Sequence, residues 1–484
     1  MKVNKKVIVC MIMILSMLLG GCGVSSGSSV KKVKLDPDNP TRVVIWHYYN
    51  GEQLEAFNKL IDEFNNSVGK KEGIYVEGAN FGTVNELKDN IVAAVKHRTG
   101  AEAIPNIFAG YADTVYEVDK LGYVIDLKEY LTQEEQDKYI KSYIEEGEFS
   151  GDGSLKILPT AKSTEIFMLN KTDWNKFSKA TGADIDELKT IEGLTKTAQD
   201  YYEWTDSQTK KKNDGKAFFG RDAVANYFLI GAKQLGTEIF SEKNGQIILN
   251  FDKEVIRKIW DNYYVPFVKG YFAASGKFRS DDINTGNILS FVGSSAGATF
   301  FPDEVIVDDT KSYPIDMEVL EAPKFEGGEN YAVQQGAGMA VTKTDEEQMY
   351  ASVQFLKWFT EDERNIQFSV ASGYLPVTKT ANNVEKIEKT TDLTENDELP
   401  IVKVAIDTVN HNTLYTTKAF ENATDARDIL EYSMSDKANE DRKTVVKRLK
   451  KGESFDKAVQ DFVSDSNFDN WYEKTKTDLE ELVK

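Results

Sequence analysis

Apolar positions along the chain switch between two spacings. Thr41-Arg-Val-Val-Ile-Trp-His47 is a short run rich in β-branched residues and predicts a strand. Asn50-Gly51 reads as a turn. Leu54, Phe57, Leu60, Ile61 and Phe64 then recur at helical spacing and predict an amphipathic helix over 52–66. Ile74 to Glu77 predicts a second strand, and 84–97 a helix through Leu87, Ile91, Ala94 and Val95. A third strand is predicted at 105–110. Strands alternating with helices imply an α/β unit with a largely parallel sheet.

Gly147, Gly151, Asp152 and Gly153 mark a loop, after which the pattern restarts. A strand at 164–169 opens a second unit. Helices are predicted near 172–180, 194–207, 222–235 and 253–269, and a strand near 296–301. Ala322-Pro323, with Gly327-Gly328, is the next boundary. A buried-type strand follows at 338–342, then a helix over 344–359 with Met349, Val353, Leu356 and Phe359 on one face. Beyond 373–377 helices are predicted at 398–411, 424–435, 437–450 and 455–482, with 379–397 as a surface loop. No internal repeat is evident.

A length of 484 residues suits two or three compact units, and 40% hydrophobic with 29% charged residues is a globular balance. A net charge of −20 repels phosphate backbones, so nucleic acid is not an expected partner. Two cysteines, Cys10 and Cys22, cannot form a disulfide framework. Histidines at 47, 97 and 411 leave no ligand set for zinc, and no acidic calcium loop is present, so neither metal nor cofactor is expected.

The first 21 residues read as an address. Lys2, Lys5 and Lys6 precede an apolar run from Val7 to Leu19, then Leu19-Gly20-Gly21-Cys22. Small residues before Cys22 resemble a bacterial lipobox, implying cleavage and lipidation of that cysteine. The alternatives are an ordinary signal peptide or an uncleaved anchor. Residues 22–40, beginning with a Gly/Ser run, read as a flexible tether.

Five segments then resemble one family in order: the lipobox, Val43–Gly51, Pro105–Asp113, Pro159–Lys171, and Gly336–Lys343 with the Phe355 helix and Ala371–Val377. Each is weak alone. Together they resemble the extracellular solute-binding proteins of ABC importers, nearest the carbohydrate-binding cluster that includes maltose-binding and glycerol-3-phosphate-binding proteins. The resemblance implies a two-lobe periplasmic-binding-protein type II fold, α/β, with a hinged interlobe cleft. Crossovers would lie near 158, 322 and 375. The first lobe would comprise 41–158 plus 322–375, and the second 159–321 plus 376–484. It also implies a monomer held outside the cell membrane by lipid on Cys22, with permease subunits as partners.

In open α/β sheets, ligands lie beyond the carboxyl ends of strands. Tyr48, Tyr49 and Asn50 occupy such an end, and tyrosines there can stack on a sugar face and donate a hydrogen bond. The alternative packs both rings beneath the first loop, while Trp46 reads as core. Tyr111 and Asp113 follow the third strand; Asp113 is either a hydroxyl acceptor or a helix cap. Ser163, Thr164 and Glu165 open the second lobe, as polyol contacts or strand-end caps. By resemblance, Asn226 and Tyr227 fall at a contact position, and Gln335 and Gly336 at a crossover. Lys162 and Lys343 are expected to be solvated. Ser295 stands where maltodextrin binders carry an aromatic platform, so a more polar, smaller pocket is expected.

Ser294, Ser295 and Arg427 also suit an anion, since hydroxyls, amides and a guanidinium fork hold phosphate. Some glycerol-3-phosphate binders pair a tyrosine at the position of Tyr374 with a later arginine. The alternative for Arg427 is an i,i+4 pair with Glu431. A secreted glycosidase or esterase is the competing class. No Gly-x-Ser-x-Gly elbow is read in the sequence and the histidines are isolated, so no triad is expected and no catalysis is assigned. A surface adhesin is disfavoured by the absence of repeats.

Overall fold

The computed structural model describes residues 30–391, 393 and 399–484. The leader and Cys22 lie outside the described residues, as does part of the 379–397 stretch.

The strand Thr41–His47 runs parallel to Ile74–Asn80 on one side and to Ile107–Gly110 on the other. Gly338–Val341 closes the sheet antiparallel to Ile107–Gly110. The helix Gly51–Asn66 buries Phe57, Leu60, Ile61 and Phe64, the stripe that its spacing predicts. Val84–Val95 begins at a capping box in which Thr83 and Glu86 satisfy each other's amides. Trp46 is core, 4.0 Å from the Phe81 ring.

The second sheet has the order Met317–Glu321, Glu165–Asn170, Ser290–Ser294, Phe219–Arg221. All six residues of Glu165–Asn170 are buried, as expected of a strand covered on both faces. A second core of aromatic residues fills this lobe.

Several elements differ from expectation. The strand expected at 296–301 lies at Ser290–Ser294, and Ser295–Phe300 is a 3-10 turn. Phe291 and Val292 suit a pleated, buried surface. The small residues after them turn instead, and the Ser294 hydroxyl accepts the Ala296 amide at 3.2 Å. The helix expected at 253–269 breaks into Lys253–Asp261 and Tyr264–Lys269, because Pro266 has no amide to continue the ladder. The two helices expected over 424–450 are one, Ala423–Lys450, with neither Gly nor Pro to interrupt it. The 455–482 helix divides before Ser464, whose hydroxyl caps Asp465–Leu482. The 379–397 stretch carries the helix Val384–Thr390, capped by Asn383. A hairpin at Phe240–Lys243 and Gln246–Leu249 turns on Asn244-Gly245, both at positive φ.

Three segments join the lobes. Leu158 to Ser163 forms backbone bridges to Met339, Leu375 and Gln335. The second passage lies at 334–337 rather than at Ala322-Pro323. Lys324 stays paired with Thr190, Phe325 is buried in the second core, and Tyr331–Val333 pairs with Thr413–Tyr415. At Gly336 φ is 98°, and a Cβ would meet the Ala161 carbonyl at 2.9 Å, so this close backbone approach requires glycine. Among the described residues no helix is long and apolar enough to cross a membrane.

Candidate functional site

A cleft of about 340 Å³ lies between the sheets, above the crossing segments. The first lobe contributes Lys88, Tyr111 and Asp113; the second contributes Asn226, Arg427 and Asp428. Glu146, Gln334 and Gln335 border it from the hinge side. Tyr111, Asp113, Gln335 and Arg427, expected on sequence grounds, are thus brought together, and Asn226 joins them.

Tyr111 and Asp113 reach the cleft because the strand Ile107–Gly110 ends beneath them and the next helix starts at Ala112. Asp113 is not the N-cap of that helix, which is Tyr111, but lies in its first turn. Its Oδ1 accepts the Thr114 amide at 2.8 Å, and its Oδ2 accepts the Thr424 hydroxyl at 2.5 Å. Lys88 Nζ donates to the same Thr424 oxygen at 2.9 Å, and Lys120 pairs with Glu421 at 2.8 Å. First-lobe side chains therefore hold the N-terminal end of Ala423–Lys450 directly. Burial pushes the Tyr111 hydroxyl above the usual tyrosine range; Tyr374 reinforces this, and the Arg427 charge opposes it. It remains a neutral hydroxyl, able both to donate and to accept.

Arg427 does not pair with Glu431. The Glu431 carboxylate accepts the amides of Val224 and Ala225 at 3.0 and 2.8 Å, at the start of Val224–Gln234. Arg427 Nη2 instead donates to Asn226 Oδ1 at 2.6 Å, and its side chain is otherwise exposed. Asn226 Nδ2 donates to Glu165 Oε1 at 2.8 Å and to Gln335 Oε1 at 3.2 Å. Glu165 is buried and also paired with Arg221, so its oxygens are committed within the protein. It orients Asn226 and does not border this cleft.

The remaining candidates lie elsewhere. Tyr49 is core, its ring 5.0 Å from Phe57 and 5.2 Å from Phe368. Tyr48 is half-buried, as are Tyr111 and Tyr374, whose charges would act on its hydroxyl. Burial raises the titration of both Tyr48 and Tyr374. Asn50 is exposed and spans a loop, donating to the Tyr48 carbonyl at 2.9 Å. Ser163 and Gln335 exchange backbone hydrogen bonds at the crossover. The Thr164 hydroxyl donates to the Val333 carbonyl at 2.8 Å. Ser294 donates to the Ser163 hydroxyl at 3.3 Å, and buried Ser295 accepts the Thr164 amide at 3.4 Å. These hydroxyls staple crossing segments together. Tyr227 is buried, its hydroxyl on the Ile259 carbonyl at 3.1 Å.

Two expectations need correction. Lys162 is buried rather than solvated, with a side chain 1% exposed that pairs with Glu146 at 2.5 Å and donates to the Gly336 carbonyl at 2.7 Å. Gly293-Ser294-Ser295-Ala296-Gly297 does spell a nucleophile-elbow pattern. It forms none, because Ser295 is buried on the Thr164 amide and none of the three histidines is a hydrogen-bond partner of it. Lys343 is exposed, as expected.

Lys88, Glu146, Thr424 and Asp428 were not anticipated. Each is a single polar residue on a polar stretch, and only the fold gives it a neighbour. Burial, reinforced by Asp425, raises the Asp428 carboxyl above its ordinary value.

A family model described as bacterial extracellular solute-binding protein matches residues 59–395. No curated protein matches the chain. Among solved structures, the chain is similar to a cyclic alpha-maltosyl-1,6-maltose binding protein from Arthrobacter globiformis. The TM-score is 0.66 at 17% identity, over 92% of this chain and 99% of that one. It is also similar to UgpB from Mycobacterium tuberculosis in complex with glycerophosphocholine, with a TM-score of 0.65 at 17% identity, over 92% and 100% of the two chains. A solute-binding protein of an ABC transporter from Agrobacterium radiobacter, in complex with ribitol, gives 0.59 at 18% identity, over 91% and 100%. At these identities the likeness is one of fold: two α/β lobes.

Proposed function

The chain belongs to the bacterial extracellular solute-binding proteins, and from that premise we propose that it captures a carbohydrate or polyol between its lobes for an ABC importer. It would act as a lipoprotein tethered through Cys22 and deliver the solute to permease subunits in the membrane, without chemical change.

The observation that carries this reading is the lining of the cleft. Its charges balance locally. Asp113 and Asp428 stand with Lys88 and Arg427, Glu146 is matched by Lys162, and Lys418 is paired with Glu242 at 3.3 Å. Neutral hydroxyl and amide groups, from Tyr111, Asn226, Gln334, Gln335 and Thr416, stand among apolar side chains such as Leu229, Ile230 and Phe240. Such a surface reads a neutral solute with many hydroxyls. A volume near 340 Å³ is at the small end of the range for ligand sites, about 300–1,000 Å³, and suits one or two sugar rings rather than a long chain.

The second reading is a polyol phosphate. It is favoured by the exposed Arg427 guanidinium at the cleft wall and by the glycerophosphocholine bound to the similar UgpB. The Ser294–Ser295 half of that expectation finds no support, since both hydroxyls are committed to Ser163 and Thr164.

Thermal shift decides between them, with monosaccharides, maltose, ribitol, glycerol 3-phosphate and glycerophosphocholine as probes. A solute at about a thousandfold over its Kd adds roughly 4 kcal/mol, a rise of several degrees at this size. Stabilisation by neutral sugars, retained in Arg427→Ala, supports the carbohydrate reading. Stabilisation by phosphate esters alone, lost in Arg427→Ala, moves the protein to the second. No shift with any solute contradicts both.

A further inference from the structure

Glu146 has a charge environment that the cleft lining alone does not explain. Its side chain is 7% exposed and comes from the turn after the helix Lys141–Glu145. One carboxylate oxygen, Oε2, accepts from two crossing segments at once: Lys162 Nζ at 2.5 Å and Gln334 Nε2 at 2.5 Å. Lys162 is itself tied to the Gly336 carbonyl. The other oxygen, Oε1, has no protein partner among the described residues, and Glu146 borders the cleft close enough to Tyr111 for its charge to act on that hydroxyl. A carboxylate so buried is stabilised by its pairing, and an unused acceptor at a cleft wall faces solvent or solute.

We propose that Glu146 is a solute-binding residue, presenting a fixed carboxylate acceptor to a ligand hydroxyl against the hinge, with Lys162 and Gln334 as its positioning residues. This rests on the reading of the cleft as the solute site. It narrows the ligand to one that offers a hydroxyl or other N–H or O–H donor at that wall, because a phosphate oxygen would be repelled there.

Glu146→Gln is the sharp variant. Lys162 and Gln334 both require an acceptor at the Oε2 position, so the amide keeps its oxygen on them and turns its NH2 to the cleft. An acceptor becomes a donor with no change of shape. Wild type and variant are titrated calorimetrically with maltose, ribitol and glycerophosphocholine, all of which carry hydroxyls. Any of these that binds wild type is expected to bind the variant about 10–100-fold more weakly. Glu146→Gln/Lys162→Met, which leaves no unpaired buried charge, is expected to show the same loss and keeps the test open if the single variant does not fold. Unchanged affinity in a folded variant overturns the proposal and leaves the cleft reading standing. Failure of all three solutes to bind wild type instead removes the cleft reading, and this proposal with it.

Discussion

Glu165 illustrates how much a single side chain's role depends on partners distant in sequence. At the start of a second-lobe strand it reads as a sugar contact, and the structure engages it with Arg221 and Asn226. The Arg221 side chain is 6% exposed, so Glu165→Ala strands a buried cation. That variant is expected to lose about 3–5 kcal/mol in urea unfolding, and Glu165→Ala/Arg221→Met much less. His47 gives a pH signature. It is 1% exposed, its Nδ1 accepts the Tyr49 amide at 3.2 Å, and burial lowers its pKa to about 4. The unfolded chain binds the proton near pH 6.5 and the folded one only near 4, so stability is full above 6.5 and falls as pH drops through that window. The full loss is about 3 kcal/mol, of which about 2 kcal/mol falls between pH 7 and pH 4.5, and that part should be absent from the unfolding difference over this range in His47→Asn. Residues next to strand ends, such as Tyr111 and Asp113, were legible because the strand announces its own end. Glu146 and Lys162 were not, because a lone charge carries no local sign of what will bury it.

Elements were legible where one face is apolar. The stripe from Phe57 to Phe64 and the β-branched run from Val43 to Ile45 fix a helix and a strand through burial alone. Placement failed where small residues flank a short strand, as at Ser290–Phe300, and where continuity depends on packing, as in Ala423–Lys450. That long helix matters most at its first turn. Thr424 stands between Asp113 and Lys88 of the other lobe, and its position at the positive end of the helix dipole favours the Asp113 carboxylate. A double-mutant cycle of Asp113→Asn and Thr424→Val is expected to give a coupling of about 0.5–2 kcal/mol in thermal or urea unfolding. A coupling of zero would mean that this helix end is not held by the first lobe.

At the scale of the molecule, two α/β units are joined by three segments that pair through isolated backbone bridges at Leu158, Lys162 and Ser163. So narrow a connection permits bending, and a solute touching both units favours the arrangement in which they meet. In the sequence the division into two units is suggested by the Gly-rich break near 150. The second passage is not, since Ala322-Pro323 looks like a boundary and is only a corner inside the second lobe, held by Phe325. In the proposed function, solute binds between the units. Hydrogen exchange tests it most directly, run with and without whichever solute of the panel most raises the melting temperature. Protection is expected together at 111–114, 224–230, 333–335 and 423–428, segments of both lobes and the hinge. Protection confined to one lobe, or to none of these segments, would contradict it.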